Sequence, residues 1–291
     1  MTDVLMFPGQ GSQHPGMGVE LFDRYPRLCE RANEVVGYSL TDLCRSDRGG
    51  ALDRTAHTQP AVYLVSCLAY LDHVDRVGEE GVGVLVGHSA GLYAALFAAG
   101  VVDLEGGLEI VARRGELMQA VEGGGMLAVI GPDAAEVDRV LARLDCFDVD
   151  VANYNGPDQV VLSATAERLA DLRPRLEREG HRCVPLPVSG AFHSRHMEPC
   201  RRELVRFLLD REFAEPRRPV VSSTTGQVVG SARLLEEMAF QLVRPVRWWQ
   251  TVAHLARAGA TAFHEIGPGT VLTDLTRKIL GGVPPRAERR V

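Results

Sequence analysis

Gly87-His88-Ser89-Ala90-Gly91 lies at the junction of an apolar run, Val82 to Gly87, and a helix-forming run, AGLYAALFAAG. Two glycines flanking a serine there let the chain reverse sharply, so the first run reads as a buried strand and the second as a helix packed back on it. That is the local signature of an α/β layer. It holds the serine hydroxyl at a helix N-terminus, where free backbone N–H groups and the helix dipole favour a developing negative charge. Read alone, the five residues also fit a tight strand-to-helix turn with a capping serine.

The rest of the chain extends the α/β pattern. Val4 to Phe7 is a short apolar strand ended by Pro8-Gly9 and the loop Gly9-Gln10-Gly11-Ser12-Gln13. Thr58 to Val74 predicts a helix with Pro60 near its first turn. Between Gly125 and Gly190 the order becomes strand, helix, strand, strand, helix, strand, the split βαββαβ pattern of a ferredoxin-like unit. The expectation is a large α/β-hydrolase-like catalytic domain, residues 1–124 and 190–291, with a small ferredoxin-like subdomain inserted at 125–189. PVVSSTTGQVV, a helix from Leu234 to Leu242 and the strand TAFHEIG complete the core. The tail PPRAERRV is expected to fray.

Composition narrows the function classes. The chain has 291 residues, 45% hydrophobic and 24% charged, enough for one large core and a smaller second one. A formal net charge of −6 argues against broad nucleic-acid binding, which needs clustered Lys and Arg. No apolar run reaches the roughly 20 residues of a membrane span, and MTDVLMFPG lacks the regions of a signal peptide, so a cytoplasmic location with no membrane partner is expected. The six cysteines are scattered, with no metal-ligand or redox spacing, so reduced buried thiols and no metal site are expected.

A serine hydroxyl needs a neighbour to take its proton. His193, in the loop-like run Gly190-Ala191-Phe192-His193-Ser194, is the best candidate base, and a surface or capping histidine is the alternative. His88, His196 and His264 compete. His88 adjoins the serine but should point away, and His264 sits in an apolar strand as a packed core residue.

Taken together the motifs form an ordered set: Phe7 to Gln13, Thr58-Gln59-Pro60-Ala61, GHSAG, Arg114-Gly115 with Leu117-Met118, Asn153-Tyr154-Asn155, AFHS, Gln241 before Pro245-Val246-Arg247-Trp248, and Glu265 to Gly269. In type and order this set resembles the malonyl-CoA:acyl carrier protein transacylases of fatty acid synthesis and the acyltransferases of polyketide synthases, from about residue 5 to about residue 278.

The resemblance implies Ser89 as nucleophile, His193 as base oriented by the backbone carbonyl of Gln241, and an oxyanion hole from the N–H groups of Gln10 and Ala90. It implies Arg114 as a clamp on the free carboxylate of the acyl group, where an isolated helix arginine would be read as surface. Gln59, His88, Met118, Phe192 and Asn155 are implied as substrate-binding residues. Phe192 resembles the residue of malonyl-selective members.

The implied chemistry is ping-pong acyl transfer from an acyl-CoA donor to the phosphopantetheine thiol of a transient, acidic acyl carrier protein, by a monomer and without a metal or redox cofactor. Arg195, Arg201, Arg202 and Arg244 are candidates for steering the carrier. Two positions depart from the family pattern: Ala90 and Leu92 replace the usual Leu and Glu around the second glycine. The competing readings are a hydrolase using the same serine and histidine, a transferase for an unusual extender or carrier-bound acyl group, and a docking module without chemistry.

Overall fold

The computed structural model describes residues 2–47, 49–131 and 134–281. In chain order the first half contains β1 (Thr2–Phe7), α1 (Val19–Arg24), α2 (Pro26–Val36), α3 (Leu40–Ser46), α4 (Thr55–Val77), β2 (Val84–Gly87), α5 (Gly91–Ala98) and α6 (Leu104–Gln119). Next come β3 (Gly124–Ile130), α7 (Ala134–Arg143), β4 (Asp150–Gly156), β5 (Gln159–Thr165), α8 (Ala166–Arg178) and β6 (Arg182–Pro185). The chain closes with α9 (Glu198–Leu209), β7 (Val220–Val221), α10 (Leu234–Phe240), α11 (Trp248–Arg257), β8 (Ala260–Glu265) and α12 (Val271–Ile279).

One sheet is parallel, in the order β7-β2-β1-β8. Val4, Leu5, Met6 and Phe7 are all buried, as expected of a parallel strand covered on both faces by helices. The pairing Phe7↔Gly87 aligns the carboxyl ends of β1 and β2, so the loops that follow them meet at the crevice where such sheets carry their sites. They pack closely: a Cβ on Gly9 would lie 2.4 Å from the His88 carbonyl oxygen.

The second sheet is antiparallel, in the order β4-β5-β3-β6. With α7 and α8 this is the expected ferredoxin-like order. Leu127, Val129, Val160 and Leu162 pack with Val137, Leu169 and Leu172 of the two helices, while Met126, Ala128, Ala152 and Val161 join the main core. Alternation along β3 and β5 thus seats the unit on the large core while it keeps a core of its own. The edge of β4 is extended by Val246, which donates to Ala152 O and accepts from Tyr154 N, both at 2.8 Å.

Some expectations change in detail. α4 begins at Thr55, so Pro60 lies inside the helix and not in its first turn. At the start of this helix the Thr58 hydroxyl donates to the carbonyls of Leu52 and Arg54. The helix expected to reach Leu242 stops at Phe240 and continues as a 3-10 turn, Gln241–Val243. PPRAERRV lies outside the described residues. No described helix is long and apolar enough to cross a membrane.

Candidate active site

Ser89 follows β2 with φ 51°, a left-handed conformation that costs a side-chain-bearing residue about 1 kcal/mol or more. The flanking glycines make room for it. A Cβ on Gly87 would lie 2.1 Å from Gly91 C, and one on Gly91 2.0 Å from Phe7 O. The elbow therefore presses against β1 and aims the hydroxyl into the crevice.

His193 Nε2 lies 2.8 Å from Ser89 Oγ. On its other side, His193 Nδ1 is 2.7 Å from the Gln241 carbonyl oxygen and 3.2 Å from that of Arg244. Carbonyl oxygens only accept, so Nδ1 carries the proton and donates it, and Nε2 turns a lone pair to the serine. Burial, reinforced by the nearby Arg114 charge, pushes the His193 pKa down to about 3. The ring is thus neutral and ready to accept a proton at ordinary pH. Among the described residues no carboxylate bonds Ser89 or His193 directly: Asp150 is paired with Arg195 and Asp148 with Arg168.

Arg114, on α6, is 1% exposed and lies beside the serine. Its Nη1 donates to Gln59 Oε1 at 2.7 Å, and its Nη2 to Ser89 Oγ at 3.1 Å and Gln241 Oε1 at 3.5 Å. The guanidinium stands 5.8 Å over the Tyr93 ring, and among the described residues its Nε has no hydrogen-bond partner. Burial lowers its pKa, yet a guanidinium stays charged. A buried cation surrounded by neutral amides, a hydroxyl and a phenol is electrostatically incomplete, and an anion would complete it. Arg113, its neighbour, is solvated and paired with Glu116.

A cavity of ≈ 200 Å³ opens onto these groups, lined among others by Gln10, His88, Ser89, Ala90, Arg114, Met118, Asn155, Phe192 and His193. Among the described residues neither the Gln10 nor the Ala90 backbone N–H donates to a protein acceptor. Gln59 and Gln241 do not line the cavity; they hold Arg114 from behind, and Gln59 also donates to Met118 Sδ at 3.2 Å. His88 diverges from Ser89 as expected and bonds Asn155 Oδ1 at 2.9 Å, tying the elbow to β4. A larger groove of ≈ 820 Å³ runs along β4 and α7 and shares His193 with the cavity. His264 is instead packed in β8 against Asp3, 3.3 Å away.

The acyl transferase domain family matches residues 4–285. The chain belongs to this family. Two of the relatives most similar to this acyl transferase are the polyketide biosynthesis protein ThaF of Burkholderia thailandensis, 45% identical over 95% of the chain, and the polyketide biosynthesis malonyl CoA-acyl carrier protein transacylase PksC of Bacillus subtilis, 40% identical over 94% of it. The chain spans 96% of PksC but 24% of ThaF, and 37% of a third relative, the Bacillus subtilis polyketide biosynthesis protein PksE. Among solved structures, a malonyl CoA-acyl carrier protein transacylase from Burkholderia pseudomallei superposes with TM-score 0.93 at 38% identity, over 98% of this chain and 99% of that one. The malonyl-transacylase PlMCAT, solved with the type II polyketide acyl carrier protein AntF, also gives TM-score 0.93, at 33% identity over 100% of this chain and 97% of its own.

Within this acyl transferase the departure at Leu92 is a core matter: its side chain is 3% exposed in the main hydrophobic cluster. Ala90 does line the cavity. Arg195 and Arg244 each face a carboxylate of their own, Asp150 and Glu236, whereas Arg201 and Arg202 share Glu198, so that pair keeps a net positive charge. Sequence reasoning missed Tyr93 beneath Arg114 and the second carbonyl, of Arg244. Tyr93 lies in the first turn of the elbow helix, four residues after Ser89, which was its one signal in the sequence. All six cysteines are free and buried, and among the described residues no group of three or more His, Cys, Asp or Glu is placed to hold a metal.

Proposed function

We propose that this acyl transferase moves a malonyl group, or a closely related dicarboxylic acyl group, from CoA to the phosphopantetheine thiol of an acyl carrier protein. The observation that carries the reading is Arg114, a buried guanidinium with no anionic partner among the described residues, whose Nη2 lies 3.1 Å from the nucleophile candidate. An acyl chain bound to Ser89 with a carboxylate two carbons further on would supply that partner through charge-assisted hydrogen bonds. The names of PksC and of the two solved neighbours support the same substrate and acceptor.

The chain's own groups then act in order. Ser89 Oγ attacks the thioester carbonyl while its proton passes to His193 Nε2, and the Gln10 and Ala90 N–H groups receive the oxyanion. Collapse expels the CoA thiol, which takes the proton back from the imidazolium, and leaves malonyl esterified to Ser89. The carrier's thiol then gives its proton to His193 and attacks the ester; Ser89 departs with that proton as an alcohol. The Gln241 and Arg244 carbonyls fix the histidine's tautomer and orientation in place of an acid. The same reading takes the protein as a cytoplasmic monomer and treats 125–189 as a subdomain inserted between 1–124 and 190–291.

Intact-protein mass after mixing with malonyl-CoA, methylmalonyl-CoA or acetyl-CoA tests this. A malonyl adduct that is absent in Ser89→Ala, and that carrier protein discharges faster than water does, is the expected result. An adduct cleared equally fast by water would make the protein a hydrolase.

A further inference from the structure

His193 has φ 55°, a conformation that persists only where the surroundings hold it. Two sets of contacts lie around that residue. Upstream and beside it, the Ser194 hydroxyl donates to Ala191 O at 2.5 Å and accepts from His196 N at 3.2 Å, which closes the turn from within. Downstream, the hold comes from a different part of the fold. Asp150, the first residue of β4, accepts the Arg195 backbone N–H at 2.9 Å, Arg195 Nε at 3.0 and 3.1 Å, and Arg195 Nη2 at 2.6 Å. One carboxylate thereby grips both the main chain and the side chain of the residue two positions after the histidine.

We propose that Asp150 is a positioning residue for His193: by holding Arg195 it keeps the imidazole aimed at Ser89 and ties that aim to the seating of the antiparallel unit. This rests on the transfer reading above. Asp150 touches neither Ser89 nor His193 in the hydrogen-bond pattern, and it is not the missing acid of a triad; it acts through the backbone. The pair is half in solvent, with the Asp150 and Arg195 side chains 23% and 58% exposed, so it is weakly placed to stabilise the whole fold. It is well placed to fix one loop. A small displacement of a catalytic group costs far more in rate than the lost contact costs in stability.

The test compares wild type with Asp150→Ala, Asp150→Asn, Arg195→Ala and the control Glu179→Ala, which breaks the exposed Arg143–Glu179 pair in the same unit. The first readout is the rate at which a fluorophosphonate probe labels Ser89, which needs the serine–imidazole pair and no acyl donor; the second is kcat and KM with malonyl-CoA; the third is thermal stability. The expected result is a drop of about tenfold or more in labelling and in kcat for Asp150→Ala, with KM and melting temperature close to wild type. Asp150→Asn, which still offers the Arg195 amide an acceptor, recovers most of the rate, Arg195→Ala falls between, and Glu179→Ala is unchanged. Labelling of Asp150→Ala at the wild-type rate, or a loss that follows melting temperature, overturns the proposal. Normal labelling of wild type without any acyl adduct removes the transfer reading instead, and leaves the positioning claim to be decided by labelling alone.

Discussion

Ser89 and His193 meet from two left-handed backbone positions, φ 51° and φ 55°, with Oγ and Nε2 2.8 Å apart. Neither residue is a glycine, so each conformation is held at a cost, and the two costs are spent on one hydrogen bond. The elbow glycines hold the first by close backbone packing; the turn after the histidine holds the second. His193→Ala is expected to slow acylation by about 10²- to 10⁴-fold, the range for loss of a general base, while malonyl-CoA KM changes little. Rapid-mixing mass spectrometry of the acylation step measures it.

The depressed His193 pKa, about 3, has two separate consequences. For catalysis, the base remains unprotonated, so acylation should stay flat from about pH 8 down to about pH 5, where an ordinary histidine near 6.5 would already be titrating. For stability the sign is opposite to that of a salt-bridged histidine. The unfolded chain binds the proton more readily, so stability is full above pH 6.5 and falls as pH drops towards 3, by up to about 1.4 kcal/mol per pH unit from this group. His88, lowered by its own burial, adds in the same direction. An acylation limb centred near pH 6.5 would contradict the buried geometry.

Removing the guanidinium should separate dicarboxylic from simple acyl donors. Arg114→Ala is expected to lose about 2–3 kcal/mol of malonyl acylation, roughly 10²-fold, and much less with acetyl-CoA. Arg114→Lys should recover little, because a point charge cannot reproduce the fork that Gln59 and Ser89 share. Relative kcat/KM for the two donors reads the effect.

Gln241 offers a contrast between side chain and backbone. Its carbonyl orients His193, while its side-chain oxygen reaches Arg114 at only 3.5 Å. Gln241→Ala keeps the carbonyl and should reduce acylation less than about tenfold, far short of His193→Ala. Parallel acylation assays of the two variants decide it.

Selectivity on the α-carbon should respond to Gly190 as well as to Phe192. A Cβ on Gly190 would lie 2.3 Å from the Phe192 ring, so Gly190→Ala must push that ring aside. The preference for malonyl over methylmalonyl should shift by about 1–3 kcal/mol in Phe192→Ala, and in the same sense but less in Gly190→Ala. Competition between the two donors, read by adduct mass, tests both.

What the chain by itself determined follows from short-range physics. The elbow, the βαββαβ unit and the buried strands were legible because glycine sterics, strand alternation and helical periodicity act within a few residues, and Ser89 could be singled out on the same grounds. The motif resemblance then carried the pairing with His193 and the register of Arg114. Only the tertiary structure decided what lies across the fold. It buries Arg114 among neutral partners, places Tyr93 beneath it and Leu92 in the core, and pairs the four candidate steering arginines with three carboxylates, Glu198 being shared by Arg201 and Arg202. It also brings Asp150 onto the turn that follows His193, where it bonds Arg195, 45 residues away in sequence. These contacts depend on how two sheets and the loops between them are seated, and local sequence carries no term for that.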